Sequence, residues 1–162
     1  MILPDLIYLA TLFTHSEHYM QEARFILVTR VAAKMMGEGK YVFSPITHTY
    51  PIAEMGKLPG GWEYWEGYDR CMIAACDKLM VLRLPGWETS TGVQAEIRIA
   101  QDHGIPVEYI DYDLIPTIEE VVAMAKSREV LKNDASQHQT SVSVAYDHQG
   151  TPVGSANDGR TT

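Results

Sequence analysis

Short apolar runs alternate along this chain with longer stretches in which apolar residues recur at helical spacing. A continuous apolar run of about four to eight residues is typical of a strand buried on both faces of a parallel sheet. Such runs occupy Leu6–Leu12, Tyr41–Ile46, Lys78–Leu84 and Ile105–Ile110. The helical spacing, with its capping residues and glycine stops, predicts helices over Ser16–Gly37, Trp62–Cys76, Val93–His103 and Pro116–Leu131.

This alternation predicts an α/β fold. Successive strands joined by right-handed helical crossovers form a parallel sheet with helices on both faces. We expect a flavodoxin/Rossmann-like three-layer sandwich with about four to five strands in the order 2-1-3-4. The stretch Thr47–Gly61 contains prolines and a Gly-Gly pair, so it is predicted to be a loop, long enough for a lid or a subunit contact.

The composition divides the chain into a folded part and a tail. With 162 residues and 46% hydrophobic content, the chain can bury one substantial core. From residue 133 onward Ser, Thr, Gln, Asp and Gly dominate, and such a segment buries too little apolar surface to offset its ordering entropy. We therefore predict an α/β domain over residues 1–132 and a polar, disordered tail over residues 133–162.

Charge and cysteine content limit the binding partners and the cellular compartment that we expect for this protein. The net charge of −8 argues against binding to a nucleic acid polymer, because that binding relies on basic side chains. No apolar run approaches the roughly 18 residues of a membrane span, and the N-terminus lacks a basic leader. Cys71 and Cys76 have neither zinc-site nor disulfide spacing, so we expect reduced core thiols. These features predict a cytoplasmic protein without membrane contact.

The stretch Leu84–Glu96 joins the third predicted strand to the following helix and is the strongest candidate for a ligand site. Open α/β sheets bind ligands at such loops, at the carboxyl ends of their strands. Ser90 is placed to cap the helix, whose free N–H groups favour an anion. Glu96 follows about a turn and a half later. Taken alone, Ser90 is usually only a cap and Glu96 only a surface carboxylate.

Other polar residues near the predicted carboxyl edge have two interpretations each. Asp69 could face solvent, Asp77 could orient a neighbour at the start of its strand, and Tyr8 could be simple core. If two carboxylates meet at one site, glycosidic chemistry becomes possible, since one attacks the anomeric carbon and the other assists the leaving group. This reaction needs no metal, and the sequence has no metal-ligand spacing, no GxGxxG motif and no P-loop. We therefore expect no cofactor.

Several of these spacings together resemble a known family. Asp69-x7-Asp77, an apolar strand, Ser90-x-Gly92-x3-Glu96 and a helix that ends in Gly104-Ile-Pro-Val resemble the nucleoside 2-deoxyribosyltransferase superfamily. The branch of 2'-deoxynucleoside 5'-monophosphate N-glycosidases is the most similar, together with related phage and bacterial proteins of unknown function. The opening Ile7-Tyr8-Leu9-Ala10 also fits, and the resemblance covers about residues 6 to 112.

The resemblance implies roles for individual residues. Glu96 is expected to be the nucleophile that forms a covalent glycosyl intermediate, and Asp69 to assist departure of the base. Tyr8 is expected to hold the catalytic carboxylate or the sugar. Ser90 and N–H groups near Gly92 are expected to bind a 5'-phosphate. The remaining substrate-binding candidates are Thr11 in the first polar loop, His48, Trp87 and Asp77.

Two departures from the family pattern concern the loop expected to bind phosphate and the residues on either side of Glu96. The first loop, Thr11–Ser16, lacks the Arg-Gly element of the phosphate-binding branch, and Arg24 or His48 is a conceivable replacement cation. The residues around Glu96 are Gln-Ala-Glu-Ile-Arg rather than the family's Gly-Tyr-Glu-Leu-Gly. Trp62, Trp65 and Trp87 suit base stacking, core packing or a dimer contact equally well.

These observations predict an enzyme that cleaves or exchanges the N-glycosidic bond of a (deoxy)nucleoside or its 5'-monophosphate. The resemblance also implies a homodimer or higher homo-oligomer, because members of the family often complete their sites with a neighbour's residues. Two alternatives remain open at this stage. The same pocket fits a nucleotide sensor without turnover, and the Trp-rich helix fits an interaction protein that assembles through it.

Overall fold

The computed structural model describes residues 4–111 and 118–138 and shows an α/β fold. Four parallel strands form one sheet in the predicted order β2-β1-β3-β4. They are β1 Leu6–Thr11, β2 Tyr41–Phe43, β3 Lys78–Leu82 and β4 Val107–Ile110. The helices are α1 His18–Gly37, α2 Pro45–Gly56, α3 Trp62–Ala74, α4 Thr91–Asp102 and α5 Ile118–His138, with a 3₁₀ turn at Trp87–Thr89.

The alternating side chains of β1 are buried against helices on both sides of the sheet. Ile7 and Leu9 belong to a core cluster with residues of α1 and with Val121 of α5. Tyr8 belongs to a second cluster with residues of α3 and α4, such as Ile73. Burial on both faces explains why the strand sequence is a continuous apolar run. The flavodoxin/Rossmann-like sandwich predicted from the sequence is confirmed.

The prediction of a loop over Thr47–Gly61 is wrong for most of its length. Residues Pro45–Gly56 form α2, and only the segment from Lys57 to Gly61 connects it to α3. Ser44 caps the helix by accepting from the N–H of Thr47 at 3.3 Å, and Pro45 occupies the first helical position, where it needs no hydrogen-bond donor. Pro51 lies inside the helix with its ring exposed to solvent. Pro51 favours a loop in the sequence, whereas Ser44-Pro45 is a helix-start signal, and the structure follows the helix-start signal.

The chain divides into two compact units, Met1–Lys126 and Ser127–Thr162. The sheet and both core clusters belong to the first unit. The described part of the second unit is the rest of α5, which ends at His138 rather than near Leu131. Residues 139–162 of the predicted disordered tail lie outside the described residues, so that tail stays a prediction.

Both cysteines are free thiols, but they differ in burial. Cys76 lies in the core at the end of α3, as expected. Cys71 is exposed, so the prediction that both are core thiols is wrong for this residue. Position 71 lies two residues before the buried Ile73, and therefore on the outer side of the helix. No helix within residues 4–111 and 118–138 is long and apolar enough to cross a membrane.

Candidate active site

A cavity of about 1120 Å³ opens at the carboxyl edge of the sheet. Its walls come from the end of β1, from α1 and α2, from the α2–α3 connection, and from the loop that joins β3 to α4. In the order β2-β1-β3-β4, the strand that follows β1 in the sequence lies on one side of β1, and β3 lies on the other side. The strand order therefore changes direction at β1. The cavity therefore lies at the switch point, where ligand sites of open α/β sheets are found.

The loop between β3 and α4 brings two predicted residues to this cavity. Gly86 has a positive φ of 93°, a conformation that glycine adopts without steric cost, and it turns the chain above Leu12. Ser90 then caps α4 by accepting from the N–H of Val93 at 3.4 Å. Ser90 and Gly92 both line the cavity, as the sequence predicted for residues at a helix start.

Glu96 lies one turn further along α4 and lines the cavity, although only 6% of its surface is exposed. Its Oε1 atom accepts a 2.8 Å hydrogen bond from the hydroxyl of Tyr8 on β1. Tyr8 is completely buried, so this hydrogen bond is shielded from water. The fixed donor therefore orients one carboxyl oxygen of Glu96.

Asp69 of α3 adds a second buried carboxyl group to the same cavity. Helices α3 and α4 pack side by side, which places the two acidic residues on facing elements. Burial raises the pKa of Asp69 to about 6, and the nearby Tyr8 hydroxyl opposes this rise. The alternative that Asp69 faces solvent is excluded by its burial.

The two carboxyl groups influence each other's ionisation. Burial, and after it the charge of Asp69, raise the pKa of Glu96 to about 8, and the hydrogen bond from Tyr8 opposes the rise. Burial and the two neighbouring carboxyls also raise the pKa of Tyr8 well above its usual value, so its hydroxyl keeps its proton. Between about pH 6 and pH 8 the carboxyl pair therefore holds one proton and one negative charge.

Thr11 ends β1 at the cavity wall and is 5% exposed. Among the residues that the structure describes, its buried Oγ1 atom has no hydrogen-bond partner. A buried hydroxyl without a partner costs about 1–3 kcal/mol of desolvation, which is unusual in a native core. Thr11 is thus placed as the sequence predicted, beside the carboxyl edge.

Three of the predicted substrate-binding residues are not brought to the cavity. Asp77 lies at the amino end of β3, where its Oδ2 accepts from the N–H of Leu6 at 2.7 Å. His48 is an exposed α2 residue whose ring stacks on Tyr68 at 6.2 Å between centroids. Trp87 packs against Tyr109 of β4 and the adjoining core. None of the three lines the cavity.

Sequence reasoning missed part of the cavity wall. Gln21 of α1 and Tyr50 of α2 line the cavity, as does Arg24, which the sequence suggested only as a conceivable replacement cation. The Tyr50 hydroxyl donates to the buried Glu22 at 3.1 Å, and its ring contacts Phe13 edge-on. Recognition of α2 from its Ser-Pro start could have placed Tyr50 here. Trp62 and Trp65 also line the cavity, whereas Trp87 does not, which separates three tryptophans that the sequence could not distinguish.

Within residues 4–111 and 118–138, no cluster of three or more His, Cys, Asp or Glu side chains could hold a metal ion. Glu96 and Asp69 together offer the chemistry of a carboxyl pair. One carboxylate can attack or stabilise a positive centre while the other group gives or takes a proton.

Fold and site together define a flavodoxin/Rossmann-like α/β domain with a buried, Tyr-anchored carboxyl pair at its switch point. Residues 5–111 match the family described as a domain of unknown function, DUF1937. Because this match spans more than half of the chain, the protein belongs to that family. The matched residues include the whole sheet and every residue that lines the cavity. No curated protein matches the chain.

Proposed function

We propose that the protein cleaves or exchanges the N-glycosidic bond of a (deoxy)nucleoside or its 5'-monophosphate through a covalent glycosyl-Glu96 intermediate. The observation that carries this proposal is the pair of buried carboxyls, Glu96 and Asp69, on one cavity with Tyr8 bonded to Glu96. The sequence resemblance to nucleoside 2-deoxyribosyltransferases supports the same assignment.

The first step of the proposed reaction uses the single proton of the pair. A carboxylate oxygen of Glu96 bonds to C1' of the sugar while the bond from C1' to the base nitrogen breaks. The bonding electrons leave with the base, which takes a proton from Asp69. The transition state resembles an oxocarbenium ion, and the negative charge of the pair stabilises it.

The second step releases the sugar from Glu96. Asp69, now ionised, takes a proton from water, and the hydroxide oxygen bonds to C1' as the ester bond to Glu96 breaks. If a second free base attacks instead of water, the product is an exchanged nucleoside. Both outcomes leave Glu96 as a carboxylate and the site unchanged.

The proposal requires a proton shift when substrate binds. In the free protein burial raises the pKa of both Glu96 and Asp69, and the proton that they share near neutral pH belongs to the pair rather than to Asp69 alone. Attack by Glu96 requires this proton to reside on Asp69. The Tyr8 hydrogen bond favours the ionised form of Glu96 and so supports the shift.

The cavity walls support a nucleoside-sized ligand. A volume of about 1120 Å³ leaves ample room for a sugar and a base. Trp62, Trp65 and Phe13 provide aromatic surface on which a base can stack, while the buried carboxyls suit the sugar end. We further propose a cytoplasmic homodimer or higher homo-oligomer, supported by the exposed apolar side chains of Ile52 and Met55 on α2.

The test is release of free base, measured by chromatography, from a panel of nucleosides and their 5'-monophosphates. Wild type is compared with Glu96→Ala, and half of the reactions contain a second free base. We expect release by wild type and a loss of at least about a thousandfold in Glu96→Ala. Base exchange identifies a transferase, and release alone identifies a hydrolase.

A matched control is Glu88→Ala, which removes an exposed carboxyl group from the 3₁₀ turn near α4 without touching the cavity lining. It should retain wild-type rates. No release from any member of the panel would contradict the proposed activity, and so would equal rates for Glu96→Ala and wild type.

A further inference from the structure

The charged side chains on the cavity wall are mostly acidic. Asp69 and Glu96 are buried, and their raised pKa values leave one negative charge on the pair at neutral pH. Glu54 on α2 and Glu63 on α3 also line the cavity, and both are exposed. Among the described lining residues, Arg24 is the one cation. A ligand in this cavity therefore meets more negative than positive charge.

One nitrogen of the Arg24 guanidinium is already bonded to the protein's own backbone. Its Nη1 atom donates to the carbonyl oxygens of Phe13 at 3.0 Å and Thr14 at 2.5 Å, in the loop between β1 and α1. The guanidinium is half-buried, and this burial lowers the pKa of Arg24. Arg24 thus helps to fix the first loop, which leaves fewer of its N–H groups to bind a phosphate.

The second conceivable cation does not reach the cavity. His48 is exposed, stacks on Tyr68 and contacts Phe43, and is not part of the cavity lining. Of the two candidates that the sequence suggested in place of the family's Arg-Gly element, only Arg24 lines the cavity, and its Nη1 atom is already bonded within the first loop.

The amino end of α4 is a second positive feature beside Arg24, and its strength is limited. A helix terminus carries about half a unit of positive charge. This positive charge is opposed by the negative charge of the carboxyl pair and by the two exposed carboxylates of Glu54 and Glu63. A dianionic phosphate is repelled by these groups, whereas an uncharged hydroxyl can still bond to the N–H groups at Thr91 and Gly92, which line the cavity.

We propose that this site selects nucleosides without a 5'-phosphate, and that Glu54 and Glu63 contribute to the selection by repelling phosphorylated sugars. This inference rests on the proposed function and names the substrate class of the same site. This substrate class differs from the sequence expectation, in which Ser90 binds a 5'-phosphate as in the 5'-monophosphate branch. Ser90 here bonds to its own helix.

The experiment compares kcat/KM for a 2'-deoxynucleoside and its 5'-monophosphate in wild type and in a Glu54→Gln/Glu63→Gln variant. We expect wild type to prefer the nucleoside at least tenfold. The double variant should reduce this preference about three- to tenfold by improving turnover of the monophosphate, since two repulsive charges are removed. Raising the salt concentration should reduce the wild-type preference in the same direction, because the repelling groups are exposed.

A Glu17→Gln/Glu88→Gln variant is the matched control, since it removes two exposed carboxylates that do not line the cavity. It should keep the wild-type preference. Binding of both ligands to Glu96→Gln protein, measured by calorimetry, gives the same comparison without turnover.

The outcomes separate this inference from the proposed function. Base release with a preference for the monophosphate overturns the inference and leaves the glycosidic activity standing. A nucleoside preference that both double variants leave unchanged overturns the role of Glu54 and Glu63. Neither release nor binding of any nucleoside or nucleotide overturns the proposed function, and this inference with it.

Discussion

Tyr8 and Glu96 lie 88 positions apart in the sequence, and a 2.8 Å hydrogen bond joins the hydroxyl of one to the carboxyl of the other inside the core. Tyr8 is not part of the cavity wall, whereas Glu96 is. The pair thus connects a side chain that lines the cavity, Glu96, to one that only supports it, Tyr8. This separation allows the supporting role to be tested without disturbing ligand contacts.

Tyr8→Phe should lower kcat and leave KM nearly unchanged. The substitution removes the hydrogen bond that lowers the pKa of Glu96, so a smaller fraction of Glu96 is ionised at a given pH. We expect kcat to fall about ten- to a hundredfold at pH 7 and to recover partly as the pH rises. The measurement is the pH profile of base release, with Tyr64→Phe, an exposed tyrosine of α3, as control. A fall in kcat with an unshifted profile contradicts this role.

Glu96→Gln should stabilise the folded protein increasingly as the pH rises from 5 to 8. The pKa of Glu96 is raised to about 8 in the fold, above its ordinary value near 4.5, so the folded state holds a proton that the unfolded state loses. The stability that this proton contributes is complete below about pH 4.5 and is lost as the pH rises through 8. Gln cannot ionise and avoids this loss.

We expect the free energy of unfolding of Glu96→Gln to exceed that of wild type by about 1–3 kcal/mol at pH 8, and by much less at pH 5. Chemical denaturation at both pH values measures the difference. Glu88→Gln, at an exposed position, is the control and should show no such trend. An advantage of Glu96→Gln that is equal at both pH values would falsify the assignment of a raised pKa.

Thr11→Val should not destabilise the protein. Because Thr11 Oγ1 has no partner among the described residues, the nearly isosteric valine removes a desolvation cost without removing a bond. Valine also suits a strand. We expect a gain of up to about 1 kcal/mol in the free energy of unfolding, measured by urea denaturation.

The matched control for this substitution is Thr49→Val, because the Thr49 hydroxyl is buried and donates to the carbonyl of Pro45 at 2.8 Å. That variant should lose about 1 kcal/mol. If Thr11→Val is destabilised as much as Thr49→Val, the Thr11 hydroxyl has a structural partner in the folded protein.

The fold was largely predictable because its strands are encoded locally. Each strand is a short apolar run that ends at a polar loop, and the alternation with helices leaves few possible topologies. Helix α2 was not predicted, since its internal Pro51 resembles a loop signal and the favourable Ser44-Pro45 start is only two residues long. Its stability comes in part from packing on α1, a contact that no local pattern reveals.

The site was predictable where a residue's position follows from its strand or helix. Ser90, Gly92 and Glu96 lie just after β3, and Thr11 ends β1, so the edge of the sheet fixes their place. Asp77 precedes β3, and parallel strands place it at the opposite edge, so the prediction that it lies near the carboxyl edge is wrong. The commitment of Arg24 to two carbonyls and the stacking of His48 on Tyr68 depend on packing, and the sequence does not encode them locally.

The carboxyl pair also depends on the integrity of the whole sheet. Tyr8, Asp69 and Glu96 belong to β1, α3 and α4, so the pair is assembled only after non-local contacts form, the slow part of folding for a parallel sheet. In an unfolded or nascent chain both acids return to ordinary acidity and meet neither each other nor Tyr8. The carboxyl pair thus appears late in folding and is lost when α3, α4 and β1 no longer pack together, so partly folded chains do not contain it.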